Sequence, residues 1–410
     1  MRSRDNKTII YIFLAALAVR LGYIVFSFGL AAVPDPDSTD YLNYAKNLVA
    51  GLGYTEGRWL AFRAPGYPAF IAAVYAVFGQ SIPILKLAQT IVSALVPVLV
   101  YLIGLRVAAG RTAAAAGAFA CVYFGLVYEP AHILSEATFT CLFALSLFLL
   151  LEIQKHKAYS AACGAALALT ALTRPVGLLL APFALLWLFI KFPAKEAVKT
   201  GSLLVLVFTA GMAPWWVRNY RVFGTFVPVC VETGYVLQGT RVPERLQCTN
   251  DDLPEIERDR KSLKDGITYL KSQDARTLLK GSVVNLSQFL YPFTPVYDLT
   301  YAFIIPFWLF GAYFALKSGN IQAMPLFAMF LYFPVAFVFC GTARHRHSMG
   351  PYFILLAAIG AEELWRRAKD KRRGSAALAF AGLWAALNAA VFIYSEPIRL
   401  LVKKIVGACP

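Results

Sequence analysis

The chain has 410 residues, 59% of them hydrophobic and 15% charged, with a formal net charge of +16. Soluble domains usually carry about 25% charged residues, and here apolar stretches of roughly 17–25 residues recur along nearly the whole length. An ordinary soluble globular protein is excluded. The positive excess sits largely in short loops between apolar stretches, so it reports membrane topology rather than nucleic-acid binding.

Apolar spans are predicted at 9–32, 82–105, 112–128, 134–153, 158–173, 175–191, 200–217, 300–316, 321–340, 349–365 and 375–394, about eleven membrane helices in an all-α polytopic protein. The first is too long for a signal-peptide core of roughly 7–15 residues, so no cleavable signal peptide is expected. Residues 38–50 are predicted to form a short interfacial helix, capped by Asp37 or Ser38 and ended by Gly51 or Gly53. Residues 66–79 are apolar but short, and read as a second interfacial or re-entrant piece. The one large hydrophilic region is 218–299, with an amphipathic helix expected near 254–280.

The short loops on one side hold Arg2, Arg4 and Lys7; Arg106 and Arg111; Lys155 and Lys157; Lys191, Lys195 and Lys199; Lys317; and Arg366 through Arg373. The positive-inside rule places that side in the cytoplasm, leaving 33–65 and 218–299 extracytoplasmic. The tail after Ser395 then also lies outside, yet it carries Arg399, Lys403 and Lys404, and an interfacial helix is expected there. The organisation expected is a transmembrane module over 1–217 with a catalytic first loop at 33–65, an extracytoplasmic segment over 218–299, and C-terminal membrane helices over 300–410.

Among the seven cysteines, Cys121, Cys141, Cys163 and Cys340 lie in apolar spans and read as small core residues, while Cys409 is near the terminus. Cys230 and Cys248 share the hydrophilic segment and are candidates for a disulfide if it is extracytoplasmic; sequence does not show whether they meet. No Cys/His spacing resembles a zinc site.

The chemistry is signalled first by the acidic cluster Pro34-Asp35-Pro36-Asp37-Ser38-Thr39-Asp40-Tyr41, placed directly after the first span. Charge so close to a bilayer is costly and marks a functional site. Arg63, Arg174, Arg218, Arg344 and Arg346 fall at the outer ends of spans, where the topology rule predicts few basic residues. Arginine binds phosphate oxygens bidentately and stays charged. Several converging on one pocket would hold a phosphate, whereas the plainer alternative for each is snorkelling to headgroups.

With these residues in view, the chain resembles the GT-C glycosyltransferases of the protein-mannosyltransferase and aminoarabinose-transferase type, including the lipopolysaccharide-core galacturonosyltransferase-like proteins. The resemblance runs through Asp37-Ser38-Thr39-Asp40-Tyr41-Leu42-Asn43-Tyr44-Ala45; Arg63-Ala64-Pro65-Gly66-Tyr67-Pro68, then Phe78-Gly79; Leu134-Ser135-Glu136; Leu172-Thr173-Arg174-Pro175; Pro214-Trp215-Trp216-Val217-Arg218-Asn219-Tyr220 with Phe223-Gly224; and Arg344-His345-Arg346 before Pro351. It implies a GT-C fold and inverting transfer of a sugar from a polyprenyl-phosphate donor to an acceptor hydroxyl on a glycan, lipid or protein outside the cytoplasm. A bacterial inner membrane is the expected location.

A lipid phosphate leaves readily, but the attacking hydroxyl needs a base, worth ~10²–10⁴ in rate. Asp37 is the first candidate, because the family acid stands four residues before the tyrosine, and Asp40 is the fallback. Relatives often carry Asp-Glu where this chain has Asp37-Ser38, which bears on metal use and acceptor orientation. Capping of the short helix is the structural alternative for Asp37. Glu136 is a candidate for orienting the acceptor or binding a divalent ion, against an ordinary acid in a first helical turn; Glu129 is a weaker candidate. Arg63, Arg174, Arg218, Arg344 and Arg346 are the candidate phosphate ligands, and Tyr41, Tyr67 and His345 candidate positioning residues. His345 and His347 lie beside arginine, which favours their neutral form. Two other readings compete: a transporter or flippase for an anionic lipid or solute, and a scaffold that has lost activity.

Overall fold

The computed structural model describes residues 3–247, 252–290, 297–339, 343–368, 371–398 and 400. It opens with α1 (Ser3–Ser27), α2 (Asp37–Val49), α3 (Gly66–Phe78) and α4 (Ile82–Val107). Then come α5 (Gly110–Val122), α6 (Phe124–Tyr128), α7 (Glu136–Glu152), α8 (Tyr159–Thr173), α9 (Leu180–Lys191) and α10 (Ala194–Phe223). The hydrophilic stretch holds α11 (Thr233–Arg241), α12 (Glu255–Ser272) and α13 (Ala275–Leu290). The last third holds α14 (Leu299–Lys317), α15 (Tyr332–Val338), α16 (Ala343–His347), α17 (Gly350–Ala368) and α18 (Lys371–Ile393). β-Structure among the described residues is one isolated bridge between Glu56 and Trp59.

Four described helices are long and apolar enough to cross a membrane: Asp5–Ser27, Ile82–Val107, Ala194–Phe223 and Leu299–Lys317. Gly110–Val122 and Phe124–Ala131 together make a further apolar stretch, bent by 50°. The stretch expected as a span over 112–128 breaks there, because Tyr123 leaves helical geometry at φ −63°, ψ 119°. Shorter apolar helices fall in the stretches expected at 158–173, 175–191, 321–340 and 375–394. Most of α1 and α10 turns apolar side chains outward, Tyr11, Phe26 and Leu206 among them. α4 is mostly buried, and its Val96, Val100 and Ile103 enter a core shared with Trp187, Trp308, Tyr352 and Phe353.

Apolar burial gives little drive for helix association in lipid, so close backbone approach at small residues matters more. α14 and α17 show this. A Cβ on Gly311 would run into the carbonyl oxygen of Leu356, and one on Gly360 into that of Phe307. Gly311→Ala should therefore push the helices apart and cost ~1–3 kcal/mol, the usual overpacking range. Its thermal midpoint in detergent should fall clearly below wild type, whereas an unchanged midpoint would show that the crossing tolerates a side chain.

The hydrophilic stretch corrects one expectation. The helix expected near 254–280 is two, α12 and α13. Asp274 starts the second by accepting hydrogen bonds from the Thr277 backbone N–H at 2.9 Å and the Thr277 hydroxyl at 2.8 Å. α12 packs against α11, where Gly234 meets the backbone of Asp259 so closely that no side chain fits.

Candidate active site

The first loop is ordered by residues far away in sequence. Tyr44 of α2 stacks on Tyr54 with ring centroids 4.4 Å apart, and Tyr54 meets Trp215 of α10 edge-on at 4.9 Å. Arg218 Nη2 donates to the Tyr54 carbonyl at 2.7 Å, and its guanidinium lies 4.9 Å from the Trp215 ring centroid. The Glu255 carboxylate accepts from the backbone N–H groups of Leu60 at 2.7 Å and Ala61 at 3.0 Å. Val231 N–H donates to the Ala61 carbonyl at 2.8 Å. Finally, the Tyr54 hydroxyl donates to the Arg63 carbonyl at 2.8 Å, fixing the residue that enters the site. Arg218 thus braces the loop and lies outside the residues that line the cleft described below.

Gly66 explains the Arg63-Ala64-Pro65-Gly66-Tyr67-Pro68 stretch physically. A Cβ there would stand 2.6 Å from Thr173 Oγ1 and 2.9 Å from the Leu172 carbonyl carbon. Glycine therefore lets the start of α3 press on the end of α8, bringing Arg63 toward Arg174. Tyr67 is fully buried, donates its hydroxyl to Gln89 Oε1 at 2.8 Å and supports the Tyr41 ring edge-on at 5.1 Å.

α2 begins at Asp37, but its N-cap is Pro36 and no side chain caps it. The expected capping by Asp37 or Ser38 is thereby corrected. Ala50 ends the helix and Gly51 follows at φ 74°, the left-handed geometry glycine accepts. Freed from capping, Asp37 is held by two arginines. Its Oδ1 is 3.0 Å from Arg63 Nη2 and its Oδ2 3.0 Å from Arg344 Nη1. Arg63 also binds Asp40 Oδ2, through Nη2 at 2.7 Å and Nε at 3.0 Å. Arg344 Nε reaches Glu136 Oε1, which Arg174 Nη1 approaches to 2.8 Å. One ionic network therefore joins Asp40, Arg63, Asp37, Arg344, Glu136 and Arg174 across five parts of the chain. Burial alone would raise the Asp37 carboxyl, but the Arg63 and Arg344 guanidiniums outweigh it and hold it below its ordinary value.

Asp37, Arg63, Arg174 and Arg344 of this network line a cleft of about 660 Å³, together with Tyr41, Ser135, Thr173, Glu232 and His345. Pro175, Val176, Leu178, Val229, Val335 and Phe339 supply an apolar wall. A second cleft of about 390 Å³ lies beside Ala108, Ala109 and the C-terminal ends of α14 and α17. Its charges are largely paired within it, Arg366 with Glu362 at 2.5 Å and Arg367 with Glu363 at 2.9 Å.

Arg346 is not brought to the cleft. It is fully buried, 3.4 Å from Asp298 and with its guanidinium 4.1 Å from the Tyr301 ring centroid. Asp298 in turn caps α14 by accepting from Tyr301 N–H at 2.9 Å. Glu129 is also buried elsewhere, accepting from Thr140 at 3.2 Å and Ser348 at 3.5 Å. His347 is buried against Tyr128 and Phe124. Cys230 lines the cleft, while Cys248, its expected partner, lies outside the described residues. Cys340, Cys409 and the expected C-terminal interfacial segment around Arg399, Lys403 and Lys404 lie outside them too.

A divalent ion does not suit this donor set. Arg344 stands between Asp37 and Glu136, the carboxylates an ion would need, and no group of three or more His, Cys, Asp or Glu side chains among the described residues is placed to hold a metal. Two contributors escaped sequence reasoning. Glu232 enters the cleft from the 227–232 strip, and Glu255 holds the loop from α12; neither sits in a local pattern that marks it.

Comparisons with known proteins agree with this architecture. The family profile of the dolichyl-phosphate-mannose-protein mannosyltransferases matches residues 63–217. No curated protein sequence matches the chain. The fold is similar to the Archaeoglobus fulgidus oligosaccharyltransferase tethered with an acceptor peptide containing the NVT sequon, at TM-score 0.59 and 14% identity over 96% of this chain and 54% of that one. A second structure from that organism, AglB in complex with an inhibitory peptide and a dolichol-phosphate, gives TM-score 0.58 and 16% identity over 96% and 55%. This chain spans about half the length of these archaeal enzymes. ArnT from Cupriavidus metallidurans bound to undecaprenyl phosphate gives TM-score 0.51 and 15% identity over 97% of this chain and 73% of that one. The chain is an integral membrane protein with the GT-C glycosyltransferase fold.

Proposed function

We propose that the chain is an inverting glycosyltransferase that moves a sugar from a polyprenyl-phosphate donor to an acceptor hydroxyl on the extracytoplasmic side of a bacterial inner membrane. The observation that carries this reading is the mixed lining of the cleft: three guanidiniums and the carboxylates of Asp37 and Glu232 share it with an apolar wall. A polyprenyl phosphate likewise joins an anionic head to an apolar tail. Similar folds bound to dolichol-phosphate and to undecaprenyl phosphate support it.

In this reading the donor phosphate takes hydrogen bonds from Arg63, Arg344 and Arg174. Asp37 accepts the acceptor proton as the acceptor oxygen bonds to the anomeric carbon. The carbon–phosphate-oxygen bond breaks on the opposite face, and polyprenyl phosphate departs with the bonding pair. The arginines stabilise charge as it builds on the leaving oxygen. The acceptor approaches from the side of the hydrophilic segment 218–299.

The reading is tested by titrating undecaprenyl phosphate into the protein in nanodiscs. Saturable binding that Arg63→Ala weakens about 10-fold or more is expected, since each charge-assisted hydrogen bond contributes ~1.5–3 kcal/mol. Envelope glycans of a deletion strain should lose one sugar while its lipid-linked donor accumulates. No binding and an unchanged glycan profile would argue for transport or a scaffold role.

A further inference from the structure

The proposed reaction leaves one charged group of the cleft unused. Glu232 is the N-cap residue of α11, yet its side chain does not cap that helix. It lines the cleft, where the Cys230 thiol donates to Oε1 at 3.4 Å and Arg63 Nη1 stands 3.9 Å from Oε2. The thiol is a weak donor, and the guanidinium contact is long. Asp37, by contrast, has each oxygen held at 3.0 Å by a guanidinium. The backbone bond from Val231 to Ala61 fixes the strip that carries Glu232. Burial pushes the Glu232 carboxyl up while Arg63 pulls against it. A partly buried carboxylate with so few protein donors gains when a ligand supplies more.

Its position says what it would touch. Glu232 and Asp37 flank the same guanidinium, on Nη1 and Nη2 of Arg63. If that guanidinium holds the donor phosphate, the group next to Glu232 is the sugar attached to that phosphate. Thr233, the next residue in the chain, also lines the cleft and adds a hydroxyl suited to a polar ring. A carboxylate accepts hydrogen bonds from hydroxyl or ammonium groups, and like charges facing each other disfavour binding.

We propose that Glu232 reads the transferred sugar: it accepts hydrogen bonds from hydroxyl or amino groups and makes the site reject uronates. The inference rests on the polyprenyl-phosphate transferase reading and adds to it the class of sugar.

The test is binding in nanodiscs with four synthetic ligands on one short polyprenyl chain: the bare phosphate, and the phosphodiesters of glucose, glucosamine and glucuronic acid. Wild type should bind the glucosyl or glucosaminyl ligand at least about 10-fold more tightly than the glucuronosyl one. Glu232→Gln keeps the shape and removes the charge, so that ratio should shrink to about threefold or less, with little change for the bare phosphate. Tighter binding of glucosaminyl than glucosyl ligand would identify the partner as an ammonium, and equal binding as a hydroxyl. Equal or tighter glucuronosyl binding to wild type, or an unchanged ratio in Glu232→Gln, overturns the inference and leaves the transferase reading intact. Failure of the bare phosphate to bind wild type removes that reading, and the inference with it.

Discussion

Asp37→Asn is expected to lower the rate of sugar transfer by ~10²–10⁴, the range for removing a positioned general base. The same change should leave the affinity for undecaprenyl phosphate equal or improved. Asp37 occupies Arg63 and Arg344 at 3.0 Å each, so losing its charge frees two guanidiniums for the phosphate. Stability should fall by no more than about 1 kcal/mol, because partly exposed ion pairs contribute little. That small difference has a definite pH dependence. The folded carboxyl titrates below its ordinary value of about 3.9. Its stabilisation is complete above that value and is lost as pH falls through it toward the folded value. The thermal midpoints of wild type and Asp37→Asn should therefore converge in acid. Near wild-type turnover in Asp37→Asn would move the base elsewhere, and Asp40, which shares Nη2 of Arg63 with Asp37, is then the next residue to change.

The all-α, membrane-embedded character was legible because segment length and hydropathy alone signal it. The meeting of Asp37, Arg63, Glu136, Arg174 and Arg344 was legible for a different reason. Charges at span ends are expensive unless they pair, and these five are among the acids and bases expected at one face, Asp40, Arg218 and Arg346 being the others. Sequence does not show which way a side chain turns once its helix is placed. Arg218 looks identical to Arg63 as a basic residue at a span end, yet it turns toward the Tyr54 carbonyl and braces the loop. Asp37 looked like a helix cap, because an acid before a helix usually is one; here two guanidiniums outcompete the backbone N–H groups. Glu232 and Glu255 were invisible because their partners, Arg63 and the Leu60–Ala61 backbone, lie far away in sequence. Gly66 could be read only once Thr173 was known to press on it.

Arg344 and Arg346 stand two positions apart and should fail in opposite ways. Arg344 lines the cleft and spans Asp37 and Glu136, so on the proposed reading Arg344→Ala removes a donor to the leaving phosphate. Losing one such preorganised donor costs ~10²–10³ in turnover. Arg344→Lys restores the charge but offers no planar fork with which to hold two carboxylates and a phosphate together, so it should recover binding more than rate. Arg346 lies outside the cleft, fully buried with Asp298. Arg346→Met leaves that carboxylate buried without its cation, which typically costs ~3–5 kcal/mol. The protein that still folds should turn over at close to the wild-type rate, since Arg346 touches neither the cleft nor its network. Turnover, undecaprenyl phosphate affinity and thermal midpoint for Arg344→Ala, Arg344→Lys and Arg346→Met separate the two roles. A slow but stable Arg346→Met, or an active but unstable Arg344→Ala, would reverse the assignment and place the phosphate on the Asp298 side of α16.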